Sequence, residues 1–136
     1  MEDPSDMTSV EKVIKNDRFA KHVGIKLLEV SKGYAKAEME IGDQHLNGLD
    51  MVHGAAIFSV ADLAFAAAVN SHGVDAVAIN MTVAFINTVR SGKLTAEARE
   101  ISLNRKLGTY LITVTDDAGN LVANLQTTAY RKTPNK

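Results

Sequence analysis

The sequence predicts an α+β fold, in which an antiparallel sheet wraps around one long central helix. The first observation is a run of small apolar residues at 55–71, which is too long for a typical strand and too uniformly apolar for a surface helix. The second is the alternation of apolar and polar residues in segments on both sides of that run. A helix and a sheet with these patterns pack as layers, so we expect one domain over residues 1–136.

Before the long helix, the sequence predicts a short helix and a β-hairpin. Thr8 and Glu11 have the spacing of a capping box, which indicates that a helix starts there. Residues 1–8 are expected to be flexible. Segments 25–30 and 34–41 flank a turn pair that contains glycine, and the second segment alternates strictly, which is typical of a hairpin with one solvent-exposed face.

The polar segment 42–54 contains three glycines and shows neither periodicity, so it is predicted to be a loop. After the long helix, alternating segments predict four further strands, near residues 79–85, 93–104, 108–116 and 121–131. The predicted element order is therefore α, β, β, long α, β, β, β, β. Because one sheet covers only one side of so apolar a helix, we expect a second subunit to cover part of the remainder.

The composition excludes several classes of function. None of the 136 residues is cysteine, which excludes disulfides, cysteine-ligated zinc, iron–sulfur clusters and a thiol nucleophile. The longest nearly apolar stretch contains Asp62 and is shorter than the roughly 20 residues that span a bilayer, which excludes a membrane span. The acidic and polar N-terminus is unlike a secretory signal, so we expect a cytoplasmic protein.

The charge distribution indicates the kind of ligand. Residues 1–89 carry 7 basic and 12 acidic groups, whereas residues 90–136 carry 8 basic and 4 acidic groups. The C-terminal third is therefore expected to contact an anionic molecule. With 3 Tyr, 4 Phe and no Trp, few aromatic side chains are available to stack on bases. This composition argues against nucleic acid and favours a phosphorylated small molecule.

Asp62 is the residue that fits its surroundings least, because it lies within the apolar run. Burying an unpaired carboxylate is costly, so its presence there needs a reason. Two interpretations remain open at this point. The carboxylate is a structural group bonded to a nearby hydroxyl or backbone group, or it is a desolvated nucleophile or general base.

The start of the same helix favours the catalytic interpretation. Gly54, directly after His53, is expected to present an unpaired N–H at the positive end of the helix, where it could polarise a carbonyl or hold an oxyanion. Gly54 and Asp62 are separated by about 12 Å along an α-helix, too far for both to touch one carbonyl. Two such helices packed antiparallel about a two-fold axis would form two complete sites, so the spacing predicts a dimer.

One run of residues carries a family resemblance, HLNGLDMVHGAAIFSVADLAFAAAVNSHG. It resembles the signature of hotdog-fold acyl-CoA thioesterases of the phenylacetic acid degradation (PaaI-like) type, approximately LNxxGxxHGGxxFxxADxAxxxA. The resemblance extends to the whole chain, because the predicted element order is that of a hotdog domain, a curved antiparallel sheet around a central helix. It implies hydrolysis of an acyl-CoA to a carboxylic acid and CoA, with no metal or other cofactor. The acyl group stays open among aryl-acetyl, hydroxylated aryl and medium-chain groups.

The resemblance also implies roles for individual residues and an assembly. Asp62 falls where the family places its catalytic carboxylate, and Gly54 falls where a backbone N–H polarises the thioester carbonyl. Asn47 and His53 match supporting residues. In the family, Asn47 and Gly54 come from one subunit and Asp62 comes from its partner, within a homodimer that commonly forms a homotetramer. Whether Asp62 attacks the carbonyl or deprotonates the attacking water stays open.

The chain departs from the family pattern at three places. Ala55 replaces the second glycine of the HGG motif, and its methyl group is expected to narrow the substrate channel. Residues 49–51 lack a glycine that some relatives carry, which is expected to stiffen the loop. Relatives often place Ser or Thr early in the strand after the central helix to hold water, and Asn80 or Thr82 is the substitute here.

Further residues are candidates for substrate contacts. Arg90, Arg105 and Lys106 are expected to hold the CoA phosphates, although each alone is better explained as a solvated surface charge. Phe58 on the long helix is expected to be core or to line the acyl pocket.

Two other functions stay open. The chain could be a non-catalytic acyl-CoA-binding hotdog protein, with Asp62 in a structural role. A hotdog dehydratase or hydratase is less favoured, because neither the HFP signature nor the GDxNPxH signature is present. A metal site formed by Asp43, His45, Asp50 and His53 is disfavoured, because their spacing fits no zinc pattern.

Overall fold

Three α-helices and six strands make up residues 4–132 of the computed structural model, the part of the chain that it describes, with residues 4–8 described by their backbone alone. In chain order they are α1 (Pro4–Lys15), α2 (Arg18–Val23), β1 (Ile25–Ser31), β2 (Tyr34–Glu40), α3 (Gly54–Val69), β3 (Ala76–Phe85), β4 (Lys93–Leu103), β5 (Leu107–Thr115) and β6 (Leu121–Arg131). The predicted α+β class is confirmed. Helix α2 was not predicted.

All six strands form one antiparallel sheet in the order β1-β2-β4-β5-β6-β3. Helix α3 packs against every strand, which requires the sheet to curve around it. Strands β1 and β3 are the two edges: α3 connects β2 to β3 across the sheet, and β3 pairs only with β6. The sheet therefore wraps the central helix as predicted.

The core lies between α3 and the inner face of the sheet. Strands β2 and β4 alternate buried and more exposed residues, and their inward positions are mostly alanine. The buried face of α3 is also rich in alanine, so the helix and the centre of the sheet meet through small side chains. Larger buried side chains, such as Met39, Phe65 and Tyr110, fill the remaining space, and the rings of Phe65 and Tyr110 contact edge to face.

None of the helices in residues 4–132 is long and apolar enough to cross a membrane.

The N-terminal helix begins earlier than the capping box predicts. Helix α1 starts at Pro4, where proline's fixed φ suits the first helical position, so Thr8 lies inside the helix rather than at its start. The flexibility expected of residues 1–8 stays a prediction, and residues 1–3 lie outside the described residues.

Helix α2 is short but capped at both ends. The Asp17 side chain accepts a hydrogen bond from Ala20 N (2.8 Å) at its start, and Gly24 ends it in the left-handed conformation (φ 92°). Its six residues are too few to show a clear apolar period, which is why the sequence pattern did not predict it.

Candidate active site

One face of α3 is not covered by the sheet. Ala55 and Asp62 are exposed, and Phe58, Ser59 and Ala66 are half-buried, whereas most other residues of the helix are buried. These five residues follow one another at intervals of one, three or four, so they share a face of the helix. In the single chain, the apolar helix that the sequence predicts is therefore open along the stripe that contains Asp62.

Asp62 lies in a cavity between this stripe and helix α2. The cavity has a volume of about 340 Å³, and most of its lining is apolar, with Phe19, Ile25, Phe58 and Leu63 among the lining residues. The Asp62 carboxylate accepts no hydrogen bond from any described residue, and the nearby Ser59 hydroxyl donates instead to Ala55 O (2.7 Å). The bonded partner that a structural role requires is thus missing from the described chain.

The surroundings of Asp62 favour its protonated form. Although solvent reaches the side chain, its apolar neighbours desolvate the carboxylate, and this raises its pKa above the ordinary value. The negative charge of Asp17, which lines the same cavity, raises the pKa further. Carboxyl groups with a raised pKa are suited to act as general acids or bases.

Gly54 begins α3 with an unused donor. His53 is the N-cap residue, and its Nδ1 accepts a hydrogen bond from Ala55 N (2.9 Å). The His53 carbonyl accepts hydrogen bonds from Ala56 N (2.9 Å) and Ile57 N (3.2 Å). The Gly54 N–H has no acceptor in the described chain. A Cβ at this position would lie 3.2 Å from Cζ of Phe85, so glycine permits a close approach of β3 to the helix start.

Asn47 holds the loop that leads into the helix. Its Oδ1 accepts hydrogen bonds from Leu49 N (2.8 Å) and Met51 N (3.2 Å), and its own N–H donates to Met51 O (2.7 Å). These bonds fix the orientation of the side-chain amide, and its Nδ2 has no acceptor among the described residues. Asn47 therefore combines a structural oxygen with a free donor nitrogen.

His45 is a site-supporting residue that sequence reasoning missed. It is buried; its Nδ1 accepts from Gly42 N (2.9 Å), its Nε2 donates to Val23 O (2.6 Å), and its carbonyl accepts from His53 N (2.7 Å). His45 thereby ties the loop to helix α2 and to the residue before Gly54. The sequence gives one indication of this role: His45 lies two residues before Asn47 in the run that carries the family resemblance.

Within residues 4–132 no group of three or more His, Asp or Glu could hold a metal ion. The expected lack of a cofactor stays a prediction.

The predicted CoA contacts fall in different places. Phe58 lines the cavity beside Asp62. Arg90 is exposed and follows Val89, whose carbonyl accepts from Val52 N (2.9 Å), so it lies near the start of α3. Arg105 and Lys106 are also exposed and follow the far end of the 11-residue strand β4, roughly 35 Å away. One chain cannot bring all three cations to one phosphate group.

Asn80 and Thr82 lie on the outer face of the sheet. They pair with Thr128 and Gln126 of β6, whereas the intervening Met81 pairs with the buried Thr127. Side chains directly opposite each other in antiparallel strands share a face, so Asn80 and Thr82 point away from α3. Neither residue lines the cavity beside Asp62 in the same chain, and a role of Asn80 or Thr82 in holding water stays a prediction.

Comparison with known proteins places the chain in a family. Residues 49–123 match the family described as the thioesterase superfamily. The chain belongs to this superfamily. It is 44% identical over 118 residues to a protein of Archaeoglobus fulgidus named "Putative esterase", across 86% of this chain and 77% of that protein. It is 37% identical over 110 residues to the acyl-coenzyme A thioesterase PaaI of Escherichia coli, across 80% of this chain and 79% of PaaI.

A solved structure supports the same assignment. The E. coli PaaI protein from the phenylacetic acid degradation operon aligns with a TM-score of 0.89 and 32% identity, over 95% of this chain and 94% of that one. The predicted PaaI-like family and hotdog fold are thereby confirmed.

Proposed function

We propose that the protein is an acyl-CoA thioesterase that hydrolyses an acyl-CoA to the free carboxylic acid and CoA. The observation that carries the proposal is that one helix, α3, begins with an unused N–H at Gly54 and carries the unbonded carboxylate of Asp62 on its open face. The likeness to a thioesterase superfamily, and to E. coli PaaI within it, supports the same reaction.

The site is completed by a second copy of the chain. Gly54 and Asp62 lie about 12 Å apart along α3, so one thioester carbonyl cannot touch both in one subunit. Edge strand β3 offers the surface for the partner, because its free backbone edge carries exposed apolar side chains, Ile79 (59% exposed) and Phe85 (57%) among them. Phe85 also lies against Gly54, so a subunit on this edge adjoins the helix start.

In the proposed reaction, the thioester carbonyl oxygen accepts from the Gly54 N–H at the positive end of α3. The partner's Asp62 takes a proton from a water molecule while the water oxygen bonds to the carbonyl carbon. The tetrahedral intermediate formed in this way then collapses. The C–S bond breaks, and the departing CoA thiolate takes up the proton. In the alternative, Asp62 itself attacks the carbonyl carbon, the C–S bond breaks, and the CoA thiolate leaves behind an anhydride. Water then hydrolyses the anhydride to the free acid and Asp62, and the proton that this step releases goes to the thiolate. The free Nδ2 of Asn47 positions the carboxylate or the water in either case.

The same two-fold arrangement would bring Arg90 of one subunit closer to Arg105 and Lys106 of the other. Antiparallel pairing of two β3 strands sets the Arg90 end of one subunit beside the Arg105–Lys106 end of the other. CoA phosphates bound at this junction would contact cations from both chains. Association of two dimers into a tetramer remains a prediction, which a native mass measurement tests.

The test is release of free thiol from a panel of acyl-CoAs by wild type and Asp62→Asn at equal folded concentration. The panel includes phenylacetyl-CoA, a ring-hydroxylated analogue and hexanoyl-CoA, so its ranking also identifies the acyl group. We expect turnover by wild type and a loss of at least about a thousandfold in Asp62→Asn. Glu11→Gln, which removes an exposed carboxylate on α1, serves as the control and keeps wild-type rates. Binding of acyl-CoA without turnover by wild type would favour the non-catalytic alternative.

A further inference from the structure

Asp17 shares the cavity of Asp62. Asp17 is the N-cap of α2, and its Oδ1 accepts from Ala20 N at 2.8 Å. No hydrogen bond from a described residue reaches its Oδ2. One carboxylate oxygen of Asp17 therefore caps the helix, and the other has no hydrogen bond from the described chain.

No cation lines this cavity among the described side chains. Besides the two carboxylates, its lining consists of Phe19, Ala20, Ile25, Ala55, Phe58, Ser59 and Leu63. Basic side chains on the elements packed against α3 are absent from this lining: they are Lys12 and Lys15 on α1, Arg18, Lys21 and His22 on α2, Lys26 on β1, Lys36 on β2, Lys93 and Arg99 on β4, and Arg131 on β6. Lys12 is paired with Asp75 (3.3 Å), and His22 lines a neighbouring cavity of about 300 Å³ together with His53.

We propose that Asp17 is a positioning residue of this site: its carboxylate shares the apolar cavity of Asp62 and influences the reaction through Asp62. The proposal rests on the proposed function, because it assigns Asp62 the task of accepting a proton. It gives α2, which the sequence pattern did not predict, a part in the chemistry as well as in covering α3.

The physical reason is that two like charges share an apolar space without a counter-ion. Repulsion from Asp17 disfavours ionised Asp62 and adds to the larger effect of desolvation, so the pKa of Asp62 is raised. A general base works best when its pKa approaches the pH at which it operates. Because activity requires ionised Asp62, kcat/KM falls at low pH as Asp62 gains its proton. Removing the charge of Asp17 lowers the pKa of Asp62 and moves this fall to lower pH.

The test compares the pH profile of kcat/KM in wild type, Asp17→Asn and Asp17→Ser. Asn and Ser cap helices about as well as Asp, so both variants keep the start of α2 while removing the charge. We expect the acidic limb to move to lower pH in both, and the plateau to fall about two- to fivefold because the base is weaker. Glu11→Gln loses the same charge outside this cavity and is expected to keep the wild-type profile.

A second measurement does not depend on turnover. Carboxyl ¹³C NMR follows the titration of Asp62 directly in wild type and in Asp17→Asn, and the proposal requires a lower midpoint in the variant. An unchanged Asp62 midpoint and an unchanged acidic limb in both Asp17 variants would overturn it. If wild type hydrolyses no acyl-CoA, the proposed function fails, and the NMR midpoints alone decide whether Asp17 acts on Asp62.

Discussion

The two ends of the candidate site differ in how the chain holds them. The region around Gly54 is fixed by hydrogen bonds within one subunit: Asn47 organises the loop, His45 ties it to α2, and His53 caps the helix. The region around Asp62, two helical turns further on, has no hydrogen bond to its carboxylate from any residue that the structure describes. A preorganised donor and a bare carboxylate, two turns apart on one helix, are consistent with the proposed site shared between two subunits.

The largest expected effect tests whether the two regions act across subunits. Asp62→Asn and Asn47→Asp are each expected to lose at least about a hundredfold in activity as homodimers. A mixed dimer, coexpressed with two tags and purified through both, carries one site with an intact Asp62 and an intact Asn47. We expect it to recover about half of the wild-type activity, because one of its two sites is complete. A mixed sample as inactive as its parents would show that both residues of a site come from the same chain.

The next test separates the two atoms of the Asn47 amide. Asn47→Ala removes the Oδ1 acceptor and the Nδ2 donor, whereas Asn47→Asp keeps an acceptor for Leu49 and Met51 and replaces the donor with a charged oxygen. We expect both to lose activity about a hundredfold, and only Asn47→Ala to lose about 1 kcal/mol of unfolding free energy. Thiol release and urea unfolding measure the two effects. Full activity in Asn47→Asp would leave Asn47 with a loop-holding role only.

The residues of the candidate site that lie in one continuous run could be predicted from the sequence. Asp62 stands out because a carboxylate interrupts an apolar helix, and Gly54 stands out because it begins that helix. The alternation of β3 also predicts that Asn80 lies on the polar face of the strand, and the structure places it there. Its expected role in holding water stays a prediction.

Other parts of the site could not be predicted, because they depend on contacts between distant segments. His45 matters through its bond to Val23, 22 residues earlier in the chain, which no local pattern encodes. Asp17 belongs to a six-residue helix whose periodicity is too short to read, and only the folded chain sets it in the cavity of Asp62. The separation of Arg90 from Arg105 and Lys106 follows from the length and direction of β4.

A smaller effect is expected at the cap of the hydrogen-bonded region. His53→Ala removes the acceptor for Ala55 N and should lower the unfolding free energy by about 1 kcal/mol, the usual loss for an N-cap. His53→Asn offers a side-chain oxygen at the same position and is expected to restore most of it. Urea unfolding of the three proteins provides the measurement. Equal stability of His53→Ala and wild type would contradict the capping role.

The smallest effect concerns how the stability of the protein depends on pH. The pKa of Asp62 is raised by desolvation and by Asp17, so the folded state binds this proton more tightly than the unfolded state does. Ionised Asp62 therefore destabilises the fold at neutral pH, and the penalty disappears as pH falls through the raised pKa toward the unfolded value of about 3.9. We expect Asp62→Asn to be more stable than wild type at pH 7 and equally stable near pH 3.5, as measured by urea unfolding. Asp116 provides the opposite sign, because hydrogen bonds, first from the backbone of Asn120, lower its pKa. Asp116→Ala should thus be less stable than wild type at pH 7, with the difference shrinking in acid. A stability of Asp62→Asn below that of wild type at pH 7 would mean that the carboxylate has a favourable partner in the assembled protein.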